Sequence, residues 1–302
     1  MQNIGLGAIE SKKDKRTVNH SQMTTMATTL PISGGVHYLP ADIEMQSKVG
    51  ICTAISLTQN AEKALGKKFS ADFQYLLQKK YYDGNWMEGS SILNALKVGT
   101  KYGFLPEELW TFTTQADRDL PYPQYMAKLQ AVSDADIQKL LLQCTDKLTG
   151  YAQLGTDPQS LSQGINSSRS GILCMYIVGS EWWTAPDGRI SWSPADINPL
   201  RKYTQETVVS GHSIIGSYYD YSSYNDVKLA NTWSVAWNVS GIGDVDVKNY
   251  PPREAWIPYY QLTPAQTLQL QNNLKQQISI LQQIITILKE LISRSATKLG
   301  LK

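Results

Sequence analysis

Apolar side chains recur at helical spacing in the first hundred residues of the chain. The segment from Cys52 to Lys67 has one face formed by Ile55, Thr58, Ala61 and Leu65. This spacing predicts a helix whose first turn contains Cys52. A second helix is predicted over residues 70–80, with Ser70 as its N-cap, and a third over residues 90–102, ending at Gly103.

Beyond these helices the pattern changes to that of strands. One more helix is predicted over residues 134–143, after a proline-rich connection. Short runs rich in β-branched and aromatic side chains then predict strands at residues 171–178, 212–219, 227–230 and 245–247. Helices followed by strands indicate an α+β fold with two unlike halves.

Residues 1–35 show neither period. They are polar and carry serine- and threonine-rich stretches, a composition that does not organise a helix or a strand. The sequence therefore predicts a flexible N-terminal arm over residues 1–35. A folded domain is predicted over residues 36–262, with order beginning near Leu39.

A long amphipathic helix is predicted over residues 263–302. Thr263, Pro264 and Gln266 supply an N-cap, a proline at the first helical position and the third residue of a capping box. Apolar residues then alternate four and three apart over about three heptads. They are Leu274, Ile278, Leu281, Ile285, Leu288 and Ile292.

The apolar stripe of this C-terminal helix is compatible with three kinds of packing. It packs on the body of its own chain, associates with other copies, or binds a partner protein. Ile280, Ile284, Ile287 and Leu291 widen the stripe beyond what a two-stranded seam needs. This width favours a larger bundle or a partner groove, and the glutamine-rich polar face disfavours a membrane surface.

Composition narrows the function classes. The 28 basic and 26 acidic side chains nearly cancel, so nucleic acid is not an expected partner. No apolar run reaches the roughly 20 residues that a membrane-spanning helix needs, and no secretory signal is evident. Three cysteines are too few for a disulfide framework and fit a reducing compartment.

One cysteine and one histidine have the contexts that nucleophilic catalysis requires. Cys52 lies at a predicted helix N-terminus, which lowers the pKa of a thiol, and a neighbouring imidazolium lowers it further. His212 opens a predicted buried strand, whereas His20 and His37 precede the predicted helices. Cys144 and Cys174 have no such neighbours and are interpreted as structural. No cysteine or histidine pair has the short spacing of a zinc site.

Two further side chains fit the same chemistry. Gln46 precedes Cys52 by six residues, and its amide, with the backbone N–H of Cys52, is a candidate donor to an oxyanion. Asn231 follows His212 by nineteen residues and is a candidate to hold the imidazole in one tautomer. Trp233 is placed to shield that hydrogen bond.

These pieces together resemble the papain-like cysteine peptidases over about residues 36–258. They are Gln46, Val-Gly-Ile-Cys52-Thr-Ala, Gly89-Ser90, Gly-His212-Ser-Ile-Ile and Asn231-Thr-Trp233-Ser-Val-Ala-Trp237. The resemblance implies a two-lobed fold, with a helical N-terminal lobe and an antiparallel β-barrel-like C-terminal lobe. It also implies a polypeptide substrate, no cofactor and a catalytic set of Cys52, His212, Asn231 and Gln46. The substrate-binding residues that it implies are Gly89, Ser90, Gly211 and Trp233.

The sequence also departs from the family pattern. Ile51 and Thr53 flank the cysteine in place of a small residue and a tryptophan, and Ser234 replaces a glycine. Val49 stands where many secreted relatives have a disulfide cysteine, which favours a cytoplasmic or virion-associated setting. The alternative function is therefore a non-catalytic structural or assembly protein that keeps a papain-like body. The arm is either a short pro-segment that blocks the site or disordered.

Overall fold

The computed structural model describes residues 7–12, 14, 17–19, 33–179, 182, 189–190, 208–220, 225–233, 236–261, 275 and 278–289. The chain divides into two compact units, Met1–Tyr260 and Gln261–Lys302. The boundary lies two residues before the start predicted for the C-terminal helix.

The helices of the first unit precede most of its strands. They are α1 (Cys52–Leu65), α2 (Ala71–Gln78), α3 (Ile92–Lys101), α4 (Tyr122–Gln130), α5 (Asp134–Leu141) and α6 (Pro158–Ser167). A π-helical turn, Lys79–Asp83, follows α2. Three short 3₁₀ helices lie at Pro40–Asp42, Glu107–Leu109 and Gln115–Asp119. The predicted helices are confirmed to within a few residues, and Ser70 caps α2 by accepting a hydrogen bond from Phe73 N.

Helices α4 and α6 were not predicted. Each has a proline in its first turn, and the proline-rich stretch that contains α4 was interpreted as a connection. Proline is tolerated there because the first N–H groups of a helix have no partner within it.

Eight strands form one sheet. They are β1 (Ser33–Gly35), β2 (Leu148–Leu154), β3 (Ile172–Gly179), β4 (Arg189–Ile190), β5 (Val208–Asp220), β6 (Asp226–Ala230), β7 (Ile242–Asp246) and β8 (Glu254–Tyr260). Their order is β2-β8-β3-β5-β6-β7-β4, and β1 pairs with β5. The fold is thus α+β, as predicted.

Two features of the sheet differ from the prediction. Among the described strands, β2 and β4 are the two edges of the sheet and do not pair with each other, so the expected β-barrel-like lobe is not a closed barrel. The pairing of β4 with β7 is parallel. The sequence analysis also missed strands β2 and β8. Within β8, Pro258 has no N–H to donate to a β-ladder, which is atypical of a strand.

Helix α1 lies in the interior of the first unit. Its residues from Cys52 to Ala61 are all buried. Ile55 packs among the other helices, whereas Leu57 packs with Leu173 and Met175 of β3. The opposite face of β3, including Cys174, packs against α6. The N-terminus of α1 is therefore fixed between the helices and the sheet.

The second unit is helical at residues 278–289, where the apolar side chains are exposed. The predicted start of this helix, at Thr263, lies outside the described residues. No helix in the described part of the chain is long and apolar enough to cross a membrane.

Candidate active site

The structure places Cys52 at the first residue of α1. Its side chain is fully buried. The backbone N–H of Ser213 in β5 lies 3.5 Å from Cys52 Sγ, so the strand that carries His212 passes directly beside the thiol. A link between α1 and β5, Ser56 Oγ to Ser213 Oγ at 2.6 Å, fixes this approach.

His212 is oriented by Asn231. Nε2 of His212 lies 2.7 Å from Oδ1 of Asn231, and the backbone N–H of Thr232 donates to the same oxygen at 2.7 Å. Because the Thr232 N–H requires an acceptor, it fixes which amide atom faces the ring, and Nε2 is then the protonated nitrogen. Nδ1 is buried and has no hydrogen-bond partner among the described residues. The neutral imidazole therefore keeps a free lone pair on Nδ1.

Trp233 covers the imidazole. The two rings stack with centroids 4.7 Å apart and planes at 28°. Trp182 and Trp237 pack edge-on against Trp233. Trp233 thus covers one face of the histidine ring and belongs to this aromatic cluster.

Gln46 connects the segment before α1 to the segment after β6. Its backbone N–H donates to the Thr232 carbonyl at 2.8 Å, and its Oε1 accepts a hydrogen bond from the Thr232 hydroxyl. Nε2, the predicted oxyanion donor, donates to the Val49 carbonyl at 3.3 Å. The structure therefore brings Gln46 next to Asn231. The hydrogen bond that the amide N–H of Gln46 donates is long and weak.

The groove beside Cys52 is filled by the N-terminal arm. Ala8 N donates to the Gly211 carbonyl at 2.9 Å, and Ile9 N donates to the Ser90 carbonyl at 2.8 Å. The Ser90 N–H donates a hydrogen bond to the Gly7 carbonyl at 2.7 Å. The part of the arm expected to be flexible thus includes a segment that pairs with both predicted substrate-binding edges.

The arm lies close to the groove because glycines, which have no side chains, stand on both where they meet. A Cβ atom on Gly7 would lie 2.0 Å from the Gly50 carbonyl oxygen, and one on Gly211 would lie 2.1 Å from the Ala8 carbonyl oxygen. A Cβ atom on Gly89 would lie 2.5 Å from the Gly7 carbonyl oxygen. These glycines are a sequence signal for a close backbone approach, but nothing in the sequence identifies the segment that makes it.

The arm continues along the body beyond the groove. Ser11 Oγ accepts from Leu93 N at 3.2 Å and donates to Glu254 at 3.0 Å. Asp14 pairs with Lys97 at 3.1 Å. Gln153 N donates to the Val18 carbonyl at 3.0 Å.

A buried polar network holds the Gly89–Ser90 edge. Lys79 Nζ donates to the Gly89 carbonyl and pairs with Asp83 at 2.9 Å, with both side chains buried. Asp83 Oδ1 accepts from Ser90 Oγ at 2.9 Å, and Gly89 N donates to the Tyr75 hydroxyl at 3.0 Å. The N–H and carbonyl of Ser90 are left to face the groove. Sequence reasoning missed Lys79 and Asp83, which lie in a predicted helix and just after it.

With the arm in place, the thiol and the imidazole are both neutral. Burial raises the pKa of the Cys52 thiol to about 11, against the opposing effect of nearby N–H groups that include those of Ser213 and Gly7. Burial also lowers the pKa of His212 to about 4, against the opposing bond to Asn231. Burial thus disfavours both the thiolate and the imidazolium.

Among the described residues, no group of three or more histidine, cysteine, aspartate or glutamate side chains is placed to hold a metal ion. Cys144 and Cys174 are buried. Burial raises the pKa of each of these two thiols to about 12.

Comparisons with known proteins identify the fold. No protein-family model and no curated protein sequence matches the chain. Among solved structures, xylellain, a cysteine protease from Xylella fastidiosa, is similar with a TM-score of 0.67 and 18% identity, over 86% of this chain and 98% of that one. A procathepsin B of Trypanosoma congolense is similar with a TM-score of 0.57 and 14% identity, over 85% and 87%.

A digestive procathepsin L 3 of Tenebrio molitor is similar with a TM-score of 0.52 and 17% identity, over 85% of this chain and 74% of that one. The chain therefore has the papain-like cysteine protease fold. At these identities the likeness concerns the fold, and the chemistry rests on the residues described above.

Proposed function

We propose that the protein is a cysteine endopeptidase whose N-terminal arm holds it in a latent form. The observation that carries the proposal is the free Nδ1 lone pair of His212, which Asn231 orients beside the strand segment that touches Cys52 Sγ. A base, its orienting group and a thiol at a helix N-terminus are the parts that nucleophilic catalysis needs.

The proposed reaction has two halves. Nδ1 of His212 takes the Cys52 proton, and the thiolate attacks the carbonyl carbon of a bound peptide. The oxyanion accepts hydrogen bonds from Cys52 N–H and from the amide of Gln46 after it leaves the Val49 carbonyl. His212 then gives its proton to the leaving amine, which breaks the peptide bond. Water, deprotonated by His212, hydrolyses the thioester and restores the thiol.

Peptide binding in the groove follows from what the arm does there. The N–H and carbonyl of Ser90 and the carbonyl of Gly211 bind an extended backbone in this structure. These groups recognise any peptide main chain, so a substrate displaces the arm by making the same kinds of bonds.

The test is labelling by an epoxide peptide inhibitor of cysteine peptidases, read by intact mass and peptide mapping. We compare the full chain with its Gly7→Leu variant, because a side chain at residue 7 collides with the Gly50 carbonyl and dislodges the arm. We expect slow labelling of the wild type and fast labelling of Cys52 in Gly7→Leu. Ile9→Ala is the matched control, since Ile9 is 54% exposed.

Cys52→Ala and His212→Ala, each in the Gly7→Leu chain, complete the test. Both should abolish labelling. The same preparations are assayed for hydrolysis of a mixed peptide library. A folded Gly7→Leu protein that neither reacts nor hydrolyses peptides would contradict the proposal.

The alternative is a papain-like body without catalysis that serves in assembly. Its support is the fully buried, neutral Cys52 and the row of exposed apolar side chains on the C-terminal helix. An assembly role predicts that Cys52→Ala leaves the size of the native assembly and its partners unchanged, and that Gly7→Leu releases no activity.

A further inference from the structure

A carboxylate next to one edge of the groove is bonded to the segment that carries the thiol. Oε1 of Glu88 accepts a hydrogen bond from the backbone N–H of Gly50 at 2.7 Å. Glu88 directly precedes Gly89 and Ser90, and Gly50 lies two residues before Cys52. One hydrogen bond therefore joins the peptide-binding edge to the segment of the nucleophile.

Gly50 has no room for a side chain where it meets Glu88. An added Cβ atom would lie 2.7 Å from Cγ of Glu88 and 3.0 Å from Cα of Gly7. Gly50 thus contacts both Glu88 and the arm. When the arm leaves, Glu88 is the neighbour that remains, because it belongs to the body of the domain.

The bond to Glu88 sets the orientation of the peptide group between Val49 and Gly50. This peptide bond is trans, so its N–H and its carbonyl point in opposite directions. With the N–H directed at Glu88, the Val49 carbonyl accepts hydrogen bonds from Gln46 Nε2 at 3.3 Å and from Ile51 N–H at 2.9 Å. Because Gly50 has no Cβ atom to restrict rotation, the orientation of this peptide group depends on its hydrogen bonds.

A carboxylate is well suited to hold this peptide group. Burial raises the pKa of Glu88, against the opposing effects of the Gly50 N–H and of Lys79. A hydrogen bond to an ionised acceptor is about twice as strong as one between neutral groups. A strong bond at the N–H end of a peptide group also polarises its carbonyl, which then becomes a better acceptor. The bond that holds the amide of Gln46 therefore depends on Glu88.

We infer that Glu88 is a positioning residue for the oxyanion site, because it acts through the Val49–Gly50 peptide group on the amide of Gln46. An amide that is already held near the backbone N–H of Cys52 loses less conformational entropy when the oxyanion forms. The inference rests on the proposed peptidase function and adds a residue to its site.

The experiment compares a peptide aldehyde with the corresponding peptide alcohol as ligands of the full chain with Gly7→Leu. Cys52 Sγ adds to the aldehyde carbon, the carbonyl electron pair moves to the oxygen, and the thiol proton passes to that oxygen. The alcohol has no carbonyl group and only occupies the groove. The ratio of the two dissociation constants, measured by calorimetry, therefore reports stabilisation at the oxyanion site.

The variants of Glu88 should change this ratio and leave binding of the alcohol almost unchanged. We expect Glu88→Ala to lower the preference for the aldehyde about tenfold, less than the roughly 100-fold loss of a whole oxyanion donor. Glu88→Gln keeps an acceptor oxygen and should retain most of the preference. Glu88→Met, which has the length of glutamate without a strong acceptor, replaces Glu88→Ala if that variant does not fold. Glu108→Ala removes an exposed carboxylate elsewhere and is the matched control.

A double-mutant cycle separates positioning from a general effect on the fold. Gln46→Ala should lower the preference for the aldehyde about 100-fold. Glu88→Ala added to Gln46→Ala should cause no further loss, because Glu88 acts through the amide that is already absent. Losses that simply add would overturn the inference.

The placement of the amide is also measured without chemistry. In the chain with Gly7→Leu and Cys52→Ala, nitrogen–proton NMR spectra report the side-chain amide of Gln46 and the exchange of the Gly50 N–H. Glu88→Ala should shift the Gln46 signals and accelerate Gly50 exchange about tenfold or more, since the N–H loses its acceptor. Glu108→Ala should change neither.

The two readouts distinguish failure of the inference from failure of the proposed function. A preference for the aldehyde that is the same with and without Glu88→Ala would support the function and overturn the inference. Equal binding of aldehyde and alcohol by the parent chain would contradict the function. In that case, changed Gln46 and Gly50 signals would still support placement of the amide by Glu88, and unchanged signals would overturn it.

Discussion

Nε2 of His212 and Oδ1 of Asn231 lie 2.7 Å apart in a fully buried site that Trp233 covers. The pair fixes both the tautomer and the direction of the imidazole, because the same amide oxygen also accepts the Thr232 N–H. The free nitrogen of the ring is thereby the one available for proton transfer in the proposed reaction, in which Asn231 is a positioning residue.

Loss of Asn231 should slow chemistry more than binding. In the Gly7→Leu chain, we expect Asn231→Ala to lower the rate of inactivation by the epoxide about 100-fold, within the range that general acid–base catalysis contributes. The affinity of the initial inhibitor complex should change little, because the groove edges at Ser90 and Gly211 are untouched. Inactivation rates measured over a range of inhibitor concentrations separate the two quantities.

Asn85→Ala, which changes an exposed loop residue, is the matched control for this measurement. An Asn231→Ala variant that reacts at the rate of the control would show that the hydrogen bond does not orient the base.

The buried His212 predicts a dependence of stability on pH. Burial lowers its pKa from 6.5 to about 4, so between these values the unfolded chain binds the proton that the folded chain rejects. The stability that neutral His212 allows is present above pH 6.5 and is lost as the pH falls toward 4, by at most about 3 kcal/mol.

The measurement is urea unfolding of wild type and His212→Gln between pH 7.5 and 4. Other acidic groups titrate in this window, so the quantity of interest is the difference between the two proteins. As the pH falls, the wild type should lose more stability than His212→Gln. His37→Gln, which changes an exposed histidine, should follow the wild type, and a constant difference for His212→Gln would exclude a depressed pKa.

Removal of only one member of the buried Lys79–Asp83 pair should greatly lower the free energy of unfolding. Lys79→Met leaves the Asp83 carboxylate buried without its cation, which costs about 3–5 kcal/mol in comparable sites. It also frees the Gly89 carbonyl, so the arm should detach more readily. The free energy of unfolding and amide exchange at Ile9 and Ser90 report these two effects.

Two further variants separate the charge pair from general disruption of the fold. Lys79→Met with Asp83→Asn should recover part of the stability, because no unpaired charge remains. Lys80→Met breaks only the pair with the exposed Asp134 and should cost little. If Lys79→Met were as stable as Lys80→Met, the network would not hold the Gly89–Ser90 edge.

The exposed apolar side chains of the C-terminal helix lead us to expect self-association of the chain. Its exposed apolar side chains at residues 278–289 include Leu281 and Leu288, both at d positions of the heptad pattern. Leu281→Asp with Leu288→Asp in the full chain should reduce the sedimenting mass to that of one chain. Gln283→Asp adds a charge at a polar position of the same helix as the control. A wild type that already sediments as one chain would direct attention to a heterologous partner.

Local pattern along the chain was enough to predict several parts of this protein. Helical spacing located α1 and its first residue Cys52, and the runs of β-branched residues located β3 and β5. The order of Gln46, Cys52, His212 and Asn231 predicted the fold, which the structural comparisons confirm. Each of these signals depends on residues close in the chain or on a motif of fixed order.

The segment that fills the groove and the residues that support it became evident from the three-dimensional fold. Ala8 lies in a polar segment without period, and its burial depends on glycines at residues 50, 89 and 211 that meet only in space. The role of Lys79 depends on the π-helical turn that follows α2, from which its Nζ donates to the Gly89 carbonyl. Contacts between residues so far apart in the chain leave no periodic trace in the sequence, so packing alone reveals them.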